Sequence, residues 1–305
     1  MNAMPTTGRP LPPPVPAGGR IGVVGLASPI DAGALRQGVA ALQGAGFEVL
    51  LAANLGARDG YLAGNDEVRL EALHAVLDAR PHALLASRGG YGVMRLLPRL
   101  PWEKLAAWGG WVVGFSDLTA LHAALSRRFP HATLHGPMLG GPGRAASELN
   151  DVLAWLQGVE RVPIFRIPKR GVVCGGVARG VAIGGNLSIL AALVGSPFEP
   201  EYDGAVLFLE EVGEPAYRLD RLLTQLALSS RLSRVSAVVV GNMTRCGGGV
   251  RGWRARWRRL LAEAAPQAVV VEGVSFGHGA RNDAFPLGVE VEVNTASRTI
   301  RRMGG

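Results

Sequence analysis

From residue 20 onward the chain alternates between short runs of β-branched residues and longer segments with helical periodicity. Parallel neighbouring strands need a crossover connection, which a helix usually supplies, so this alternation is typical of a parallel sheet flanked by helices. Each of four strand-like runs is followed by a helix-like segment: 21–25 by 32–45, 47–52 by 65–79, 83–86 by 93–97, and 111–115 by 118–127. The pattern predicts an α/β fold.

A glycine- and proline-rich stretch near 140–143 interrupts the alternation, and the strand-like segments that follow it are rich in glycine. We therefore predict two domains, an N-terminal parallel-sheet α/β domain of the flavodoxin-like type and a C-terminal mixed β/α domain. The predicted divisions are a disordered proline-rich lead-in at 1–19, the N-terminal domain at 20–143, a connection at 144–175 and the C-terminal domain at 176–305.

The composition excludes several classes of protein. With 48% apolar and 18% charged residues over 305 positions, the chain is neither disordered nor fibrous, and no apolar run reaches the roughly 20 residues of a membrane helix. We expect a cytoplasmic protein.

The net charge of +8 is typical of nucleic-acid binding, but only two of the 32 basic residues are lysines, which indicates a compositional bias, and we expect no nucleic-acid partner. Cys174 and Cys246 lie outside any disulfide or zinc spacing and are predicted to be free thiols.

The segment Gly114-Phe115-Ser116-Asp117 joins an apolar strand directly to an amphipathic helix. A serine at such a turn is held out of the sheet, and the free N–H groups of the helix N-terminus can stabilise an oxyanion, as in a nucleophile elbow. The usual G-x-S-x-G pattern is absent. The alternative is that Ser116 or Asp117 simply caps the helix.

Two further glycine turns connect a strand to a helix, Arg88-Gly89-Gly90-Tyr91-Gly92 and Gly184-Gly185-Asn186. Glycine allows backbone N–H groups to approach a ligand, and an arginine such as Arg88 can pair with a carboxylate. Both segments are equally compatible with ordinary tight turns. Neither contains G-x-G-x-x-G or a Walker lysine, so the sequence does not indicate a nucleotide site.

Acidic residues end the apolar strand at 207–214, a common position for catalytic groups in α/β folds, although a solvated loop or a capping cluster explains them equally well. His278 lies between two glycines, which leaves its ring accessible.

The basic run 251–259 carries Trp253 and Trp257 on one helical face and is interpreted as an amphipathic surface helix. The remaining histidines are interpreted as structural: His74, His82, His122, His131 and His135.

Taken together, these segments resemble the LD-carboxypeptidase family, serine peptidases that include muramoyltetrapeptide carboxypeptidases and microcin self-immunity proteins. The resemblance covers about residues 20–290, with the segments in the family's order. It is carried by Gly114-Phe115-Ser116-Asp117, Arg88-Gly89-Gly90-Tyr91-Gly92, Gly185-Asn186-Leu187, the stretch 209–221 and Phe276-Gly277-His278-Gly279.

The resemblance implies a catalytic triad divided between the two domains. Ser116 matches the family's nucleophile, and His278 matches the base that takes the serine proton and returns it to the leaving amine. Glu210 matches the acid that orients the imidazole. Glu211 remains an alternative, because adjacent strand residues point to opposite faces and the two glutamates differ by one position.

The resemblance also implies an oxyanion hole formed by the backbone N–H groups of Gly90 and Asp117, with no metal and no cofactor. Arg88 and Asn186, in the glycine turns, are the candidate substrate-binding residues. The implied reaction releases terminal D-Ala from a murein tetrapeptide through an acyl-enzyme, in a cytoplasmic homodimer. The unusual Gly- and Arg-rich segment 246–259 leaves open a microcin-immunity type of hydrolase. A non-catalytic peptide- or sugar-binding protein is the other alternative.

Overall fold

The computed structural model describes residues 8–140 and 149–304, which divide into two compact units. The N-terminal unit consists of Pro10–Glu160 and Ala284–Pro286, and the C-terminal unit consists of Arg161–Asp283 with residues 8–9 and 287–304. The strands are, in chain order, β1 (Arg20–Val24), β2 (Glu48–Leu51), β3 (Ala83–Ala86), β4 (Trp111–Gly114), β5 (Thr133–His135), β6 (Phe165–Arg166), β7 (Val172–Cys174), β8 (Val177–Asn186), β9 (Val206–Val212), β10 (Ala237–Thr244), β11 (Val269–Glu272), β12 (Phe285–Leu287), β13 (Glu290–Asn294) and β14 (Thr299–Arg302). The helices are α1 (Ala32–Gly44), α2 (Asp66–Asp78), α3 (Val93–Leu96), α4 (Trp102–Trp108), α5 (Thr119–Arg128), α6 (Asn150–Leu156), α7 (Leu187–Leu193), α8 (Ala216–Leu228) and α9 (Trp253–Ala264).

The sheet of the N-terminal unit has the strand order β12-β5-β4-β3-β1-β2. Strands β1 to β5 pair in parallel, in the order 2-1-3-4-5 of flavodoxin-like folds. Every residue of β3 and β4 is buried, as expected for central parallel strands with helices on both faces. The predicted fold class is confirmed.

The sheet of the C-terminal unit is mixed and has the order β6-β14-β13-β8-β9-β10-β11-β7. Strands β8 to β11 are parallel, and antiparallel strands complete both edges. Helices α7, α8 and α9 bury their apolar faces in one core cluster, which includes Trp257 at 4% exposure. Arg256 and Arg258, exposed on either side of Trp257, form ion pairs with Asp220 and Glu272. The basic run is therefore an amphipathic surface helix, as predicted.

The proline-rich segment differs from the predicted disordered lead-in. Residues 10–19 belong to the N-terminal unit, where Trp111 Nε1 donates to the carbonyl of Pro13 (2.9 Å) and the N–H of Val15 donates to the carbonyl of Leu156 (2.7 Å). Val15 is 4% exposed. Prolines lack the N–H donor but keep the carbonyl acceptor, so an extended proline-rich strand can still be held by donors of the neighbouring structure. Residues 1–7 of the predicted lead-in lie outside the described residues.

The division between the units also differs from the prediction, because it falls between Glu160 and Arg161. Helix α6, predicted as the start of a connection at 144–175, packs within the N-terminal unit, where Trp155 is 1% exposed and donates Nε1 to the carbonyl of Ala284 (3.0 Å). Strands β6 and β7, also assigned to the connection, are the two edges of the C-terminal sheet. The predicted boundary at 143 lies outside the described residues.

Within the described part of the chain, no helix combines the length and apolar character needed to cross a membrane. Both cysteines, Cys174 and Cys246, are free thiols, as predicted.

Candidate active site

Ser116 lies at the turn between β4 and α5 and has a backbone φ of +62°. A positive φ is unfavourable for a residue with a side chain, and its cost of about 1–3 kcal/mol is often retained at functional sites. Arg80 and Ser230 have similar φ values, but they follow helix C-termini, where this conformation is ordinary. The N-cap residues of the turn and of α5 are Phe115 and Leu118, so capping does not explain the position of Ser116.

Asp117 is 1% exposed, and its Oδ2 accepts a hydrogen bond from the N–H of Val93 at the start of α3 (2.9 Å). The side chain therefore links the serine turn to the glycine turn that precedes α3. Burial raises the pKa of the Asp117 carboxyl to about 6, against the opposing effects of the Val93 hydrogen bond and the charge of Arg69. Oδ1 has no hydrogen-bond partner among the described residues.

The glycine turn after β3 lies against Ser116. A Cβ atom added to Gly89 would lie 3.0 Å from Ser116 Cβ and 3.1 Å from its Oγ, so a side chain here would crowd the serine. Gly90 has a φ of +113°, and a Cβ atom there would overlap the Ser28 side chain. The turn therefore brings backbone rather than side chain next to Ser116.

Arg88 precedes these glycines, is half-buried, and donates Nη1 to the carbonyl of Pro29 (3.0 Å). A second arginine beneath the same turn was missed by the sequence analysis. Arg69 in α2 is 0% exposed and donates Nη1 to the carbonyls of Leu26 (2.6 Å) and Gly92 (3.0 Å). The sequence pattern of α2 does not indicate that Arg69 is buried, because a buried arginine on an amphipathic helix differs from an exposed one only in its tertiary partners.

In the C-terminal unit, the end of β9 holds Glu210 against the loop that carries His278. Glu210 is 0% exposed, and its Oε2 lies 2.6 Å from His278 Nδ1 and accepts the backbone N–H of His278 (3.2 Å). Because a carboxylate only accepts hydrogen bonds, Nδ1 carries the proton and Nε2 of the neutral ring is the basic nitrogen. This arrangement suits a histidine that acts as a general base.

The loop around His278 is held by side chains that the sequence analysis missed. Asn242 Nδ2 donates to the carbonyls of Phe276 (2.8 Å) and Arg281 (2.9 Å), and Asn282 Oδ1 accepts the N–H of Gly277 (2.7 Å). A Cβ atom on Gly277, whose φ is +92°, would lie 2.6 Å from Oε2 of the glutamate that bonds His278. The close approach of the loop to β9 therefore requires glycine at this position.

Glu211 faces the other side of β9 and binds the start of α7. Its Oε2 accepts from Ser188 N (2.8 Å) and Ser188 Oγ (2.6 Å), and its Oε1 accepts from Asn186 Nδ2 (2.8 Å). Asn186 is the N-cap of α7, and its Oδ1 accepts the N–H of Ile189 (3.2 Å). Both side chains thus have structural partners, and the substrate-binding role of Asn186 stays a prediction.

The structure brings Glu210 and His278 together in the C-terminal unit, and Ser116, Asp117, Arg88 and Gly90 belong to strand-to-helix turns of the N-terminal unit. Within residues 8–140 and 149–304, no group of three or more His, Cys, Asp or Glu side chains is arranged to hold a metal ion.

These features define a two-domain α/β protein with candidate catalytic groups at strand ends in both domains. Models of the LD-carboxypeptidase N-terminal domain and the LD-carboxypeptidase C-terminal domain match residues 21–136 and 179–293. The chain therefore belongs to the LD-carboxypeptidase family and is a peptidase of the carboxypeptidase class, which confirms the resemblance identified in the sequence.

Individual relatives are similar over nearly the whole chain. The murein tetrapeptide carboxypeptidase of Pseudomonas aeruginosa is 35% identical over 290 residues, covering 90% of this chain and 92% of the relative. The crystal structure of muramoyltetrapeptide carboxypeptidase from Oxalobacter formigenes is 26% identical, with a TM-score of 0.78 and coverage of 92% and 97%. The microcin C7 self-immunity protein MccF of Escherichia coli, in its wild-type apo state, shares the fold with a TM-score of 0.85 at 23% identity, covering 97% of this chain and 98% of MccF.

Proposed function

We propose that this protein is a serine LD-carboxypeptidase that releases terminal D-Ala from a murein tetrapeptide by hydrolysing the peptide bond between an L- and a D-residue. The observation that carries the proposal is the 2.6 Å contact between His278 Nδ1 and buried Glu210 Oε2, which orients and charge-balances a general base. The substrate is inferred from the relative in Pseudomonas aeruginosa that is named for this reaction.

In the proposed reaction, Ser116 Oγ attacks the carbonyl carbon of the scissile bond while His278 Nε2 takes the hydroxyl proton. The tetrahedral intermediate collapses, the C–N bond breaks, and His278 returns the proton to the leaving amine of D-Ala. Water then attacks the acyl-serine ester with the same histidine as base, which releases the shortened peptide and restores Ser116. The Glu210 carboxylate, through its contact with Nδ1, stabilises the imidazolium.

The remaining proposed roles belong to the turns of the N-terminal unit. The backbone N–H groups of Gly90 and Asp117 would stabilise the oxyanion, and the close approach of Gly89 to Ser116 supports this assignment. The Arg88 guanidinium, which donates Nη1 to Pro29, would bind the free C-terminal carboxylate of the substrate with its other donors. We also propose a cytoplasmic location, in keeping with recycled murein peptide as substrate, and a homodimer, which sedimentation analysis would check.

The test is mass spectrometry of a murein tetrapeptide (L-Ala, D-Glu, diaminopimelate, D-Ala) incubated with wild-type protein and with Ser116→Ala. We expect the wild type to release one alanine and Ser116→Ala to release none. Ser126→Ala is the matched control, since this serine lies on α5 and bonds only the helical carbonyl of Ala123 within the described contacts (2.6 Å); it should retain activity.

Other results would favour the alternatives. An intact tetrapeptide, together with covalent labelling of Ser116 by a serine-directed phosphonate, would support a hydrolase of the microcin-immunity type with another substrate. Tetrapeptide binding of equal affinity in wild type and Ser116→Ala, with no product and no labelling, would support a non-catalytic binding protein.

A further inference from the structure

The peptide bond between Gly92 and Val93 is held at both of its polar edges by buried charged side chains. Its carbonyl oxygen accepts a hydrogen bond from Arg69 Nη1 (3.0 Å), and its N–H donates to Asp117 Oδ2 (2.9 Å). Arg69 is 0% exposed and Asp117 is 1% exposed. Because a peptide unit is planar, one hydrogen bond on each edge fixes the orientation of the whole unit.

The two side chains that form this clamp are themselves fixed by their surroundings. Asp117 follows Ser116 directly, so its backbone belongs to the serine turn. Arg69 also donates to the carbonyl of Leu26 (2.6 Å) and to Asp66 Oδ1 (2.5 Å). The Gly92–Val93 peptide is therefore tied to the serine turn on one side and to α2 and the loop after β1 on the other.

The opposite end of the glycine turn is anchored by Ser28. The N–H of Ser28 donates to the carbonyl of Gly89 (3.2 Å), and Ser28 Oγ accepts the N–H of Tyr91 (3.4 Å). Gly90 lies between the two residues that Ser28 anchors, and the clamp at Gly92 holds the C-terminal end of the same turn. The direction of the Gly90 N–H is consequently determined by hydrogen bonds on both sides of it.

The buried carboxyl group of Asp117 lowers the stability of the fold, so stability does not explain its presence. It is almost fully buried, its Oδ1 has no hydrogen-bond partner among the described residues, and burial raises its pKa to about 6. A buried ionisable group without full hydrogen bonding is more often found at functional sites than elsewhere. Among the residues that the structure describes, the Asp117 carboxyl makes one hydrogen bond, to the N–H of the Gly92–Val93 peptide.

We propose that Asp117 and Arg69 are positioning residues, which clamp the Gly92–Val93 peptide so that the N–H groups of Gly90 and Asp117 point at the developing oxyanion. This inference rests on the proposed serine-hydrolase function. Neither side chain touches the substrate. The clamp acts on the transition state through the backbone of the glycine turn, so its loss should reduce kcat more than substrate affinity.

The test compares Asp117→Ala, Asp117→Leu and Asp117→Asn for kcat and KM on the tetrapeptide and for the rate of Ser116 labelling by a phosphonate. Alanine and leucine lack an acceptor for the Val93 N–H, and leucine keeps most of the volume if the alanine variant fails to fold. We expect both to lower kcat and the labelling rate on the order of 100-fold, with KM within about threefold of wild type. Asparagine retains an acceptor oxygen and should recover at least about tenfold of the loss.

Four outcomes would overturn the proposal. Folded alanine or leucine variants with kcat close to wild type would show that the clamp is not needed, and a rise in KM alone would show that Asp117 acts on substrate binding. A wild type that is active, with Asp117→Asn as impaired as Asp117→Ala, would show that the hydrogen bond to Val93 is not the cause. A wild type that neither releases alanine nor is labelled at Ser116 refutes the proposed function, and the clamp with it.

Discussion

The carboxylates of Glu210 and Glu211, adjacent in the sequence, bind different parts of the C-terminal unit. Glu210 Oε2 lies 2.6 Å from His278 Nδ1, whereas Glu211 Oε2 accepts both the backbone N–H and the hydroxyl of Ser188 at the start of α7. The alternation of side chains along β9 places them on opposite faces of the sheet. One glutamate is therefore the candidate partner of the base, and the other stabilises the beginning of a helix.

This difference predicts opposite effects of two matched substitutions. Glu210→Gln removes the charge that stabilises an imidazolium, and we expect kcat to fall on the order of 10²- to 10⁴-fold. Glu211→Gln keeps one acceptor oxygen and replaces the other with an NH2 donor, so either Ser188 or Asn186 loses its acceptor, and we expect the free energy of unfolding to fall by about 1–3 kcal/mol. Steady-state kinetics and urea unfolding of both variants measure the two effects.

The pair of variants serves as its own control, because the substitutions are identical in chemistry and one residue apart. A larger fall in kcat for folded Glu211→Gln than for Glu210→Gln would reverse the assignment of the triad acid.

Gly277→Ala should inactivate the protein by pushing the histidine loop away from β9. The added Cβ would lie 2.6 Å from Glu210 Cβ and Oε2. Both atoms belong to a fully buried side chain that has no free space into which it can move. Gly249→Ala is a matched control, since its φ of +77° carries a similar backbone cost but nothing lies within 4 Å of its added Cβ. Alanine release should be lost in the first variant and kept in the second. Equal activity of the two would contradict the tight Glu210–Gly277 contact.

Acidification should destabilise the protein through His122. This histidine is buried on α5, with its ring nitrogens 2.8 Å from Thr133 Oγ1 and 2.9 Å from the carbonyl of Gly114, and burial lowers its pKa to about 4. Between about pH 6.5 and pH 4 the unfolded chain therefore binds a proton that the folded protein does not, so stability falls as the pH falls.

The measurement is urea unfolding of wild type and His122→Asn across this range. The contribution of His122 should shrink by roughly 3 kcal/mol between pH 7 and pH 4, so the stability difference between the two proteins should change by that order. Parallel pH curves for the two proteins would show that His122 is not held neutral by burial.

The proline-rich segment should contribute to stability although its composition suggests disorder. Val15 is 4% exposed, so Val15→Ser should lower the free energy of unfolding by about 1–3 kcal/mol. Ala17→Ser changes an exposed neighbour and should have an effect within about 0.5 kcal/mol. Indistinguishable thermal melts for Val15→Ser and wild type would contradict the packing of this segment.

The strand-to-helix turns could be predicted from the sequence because they depend on local signals. Apolar runs followed by a glycine-containing turn and helical periodicity identified the turns at Ser116 and Gly90, and an apolar run that ends in acidic residues identified the end of β9. The alternation of strand-like and helix-like segments predicted the flavodoxin-like sheet. The choice between Glu210 and Glu211 was not local. It depends on which face of β9 meets the His278 loop, 68 residues later in the chain.

The supporting residues could not be predicted for the same reason. Asn242 bonds residues more than 30 positions away, and Arg69 bonds the carbonyl of Leu26, 43 positions away. The predicted extent of the N-terminal unit was wrong because Trp155 of α6 bonds the carbonyl of Ala284. Ala284 lies 129 positions later in the chain, directly before β12. Each of these contacts is set by tertiary structure, which no spacing in the sequence encodes.

The central claim is that Ser116 is a nucleophile activated by the His278–Glu210 pair, and covalent labelling tests it most directly. Wild type, Ser116→Ala and His278→Ala would be treated with a serine-directed phosphonate, and the modified residue would be located by peptide mass spectrometry. The account predicts one label on Ser116 of the wild type, none in Ser116→Ala, and labelling of His278→Ala slowed at least about 100-fold. A label on another residue, or equal labelling of wild type and His278→Ala, would contradict it.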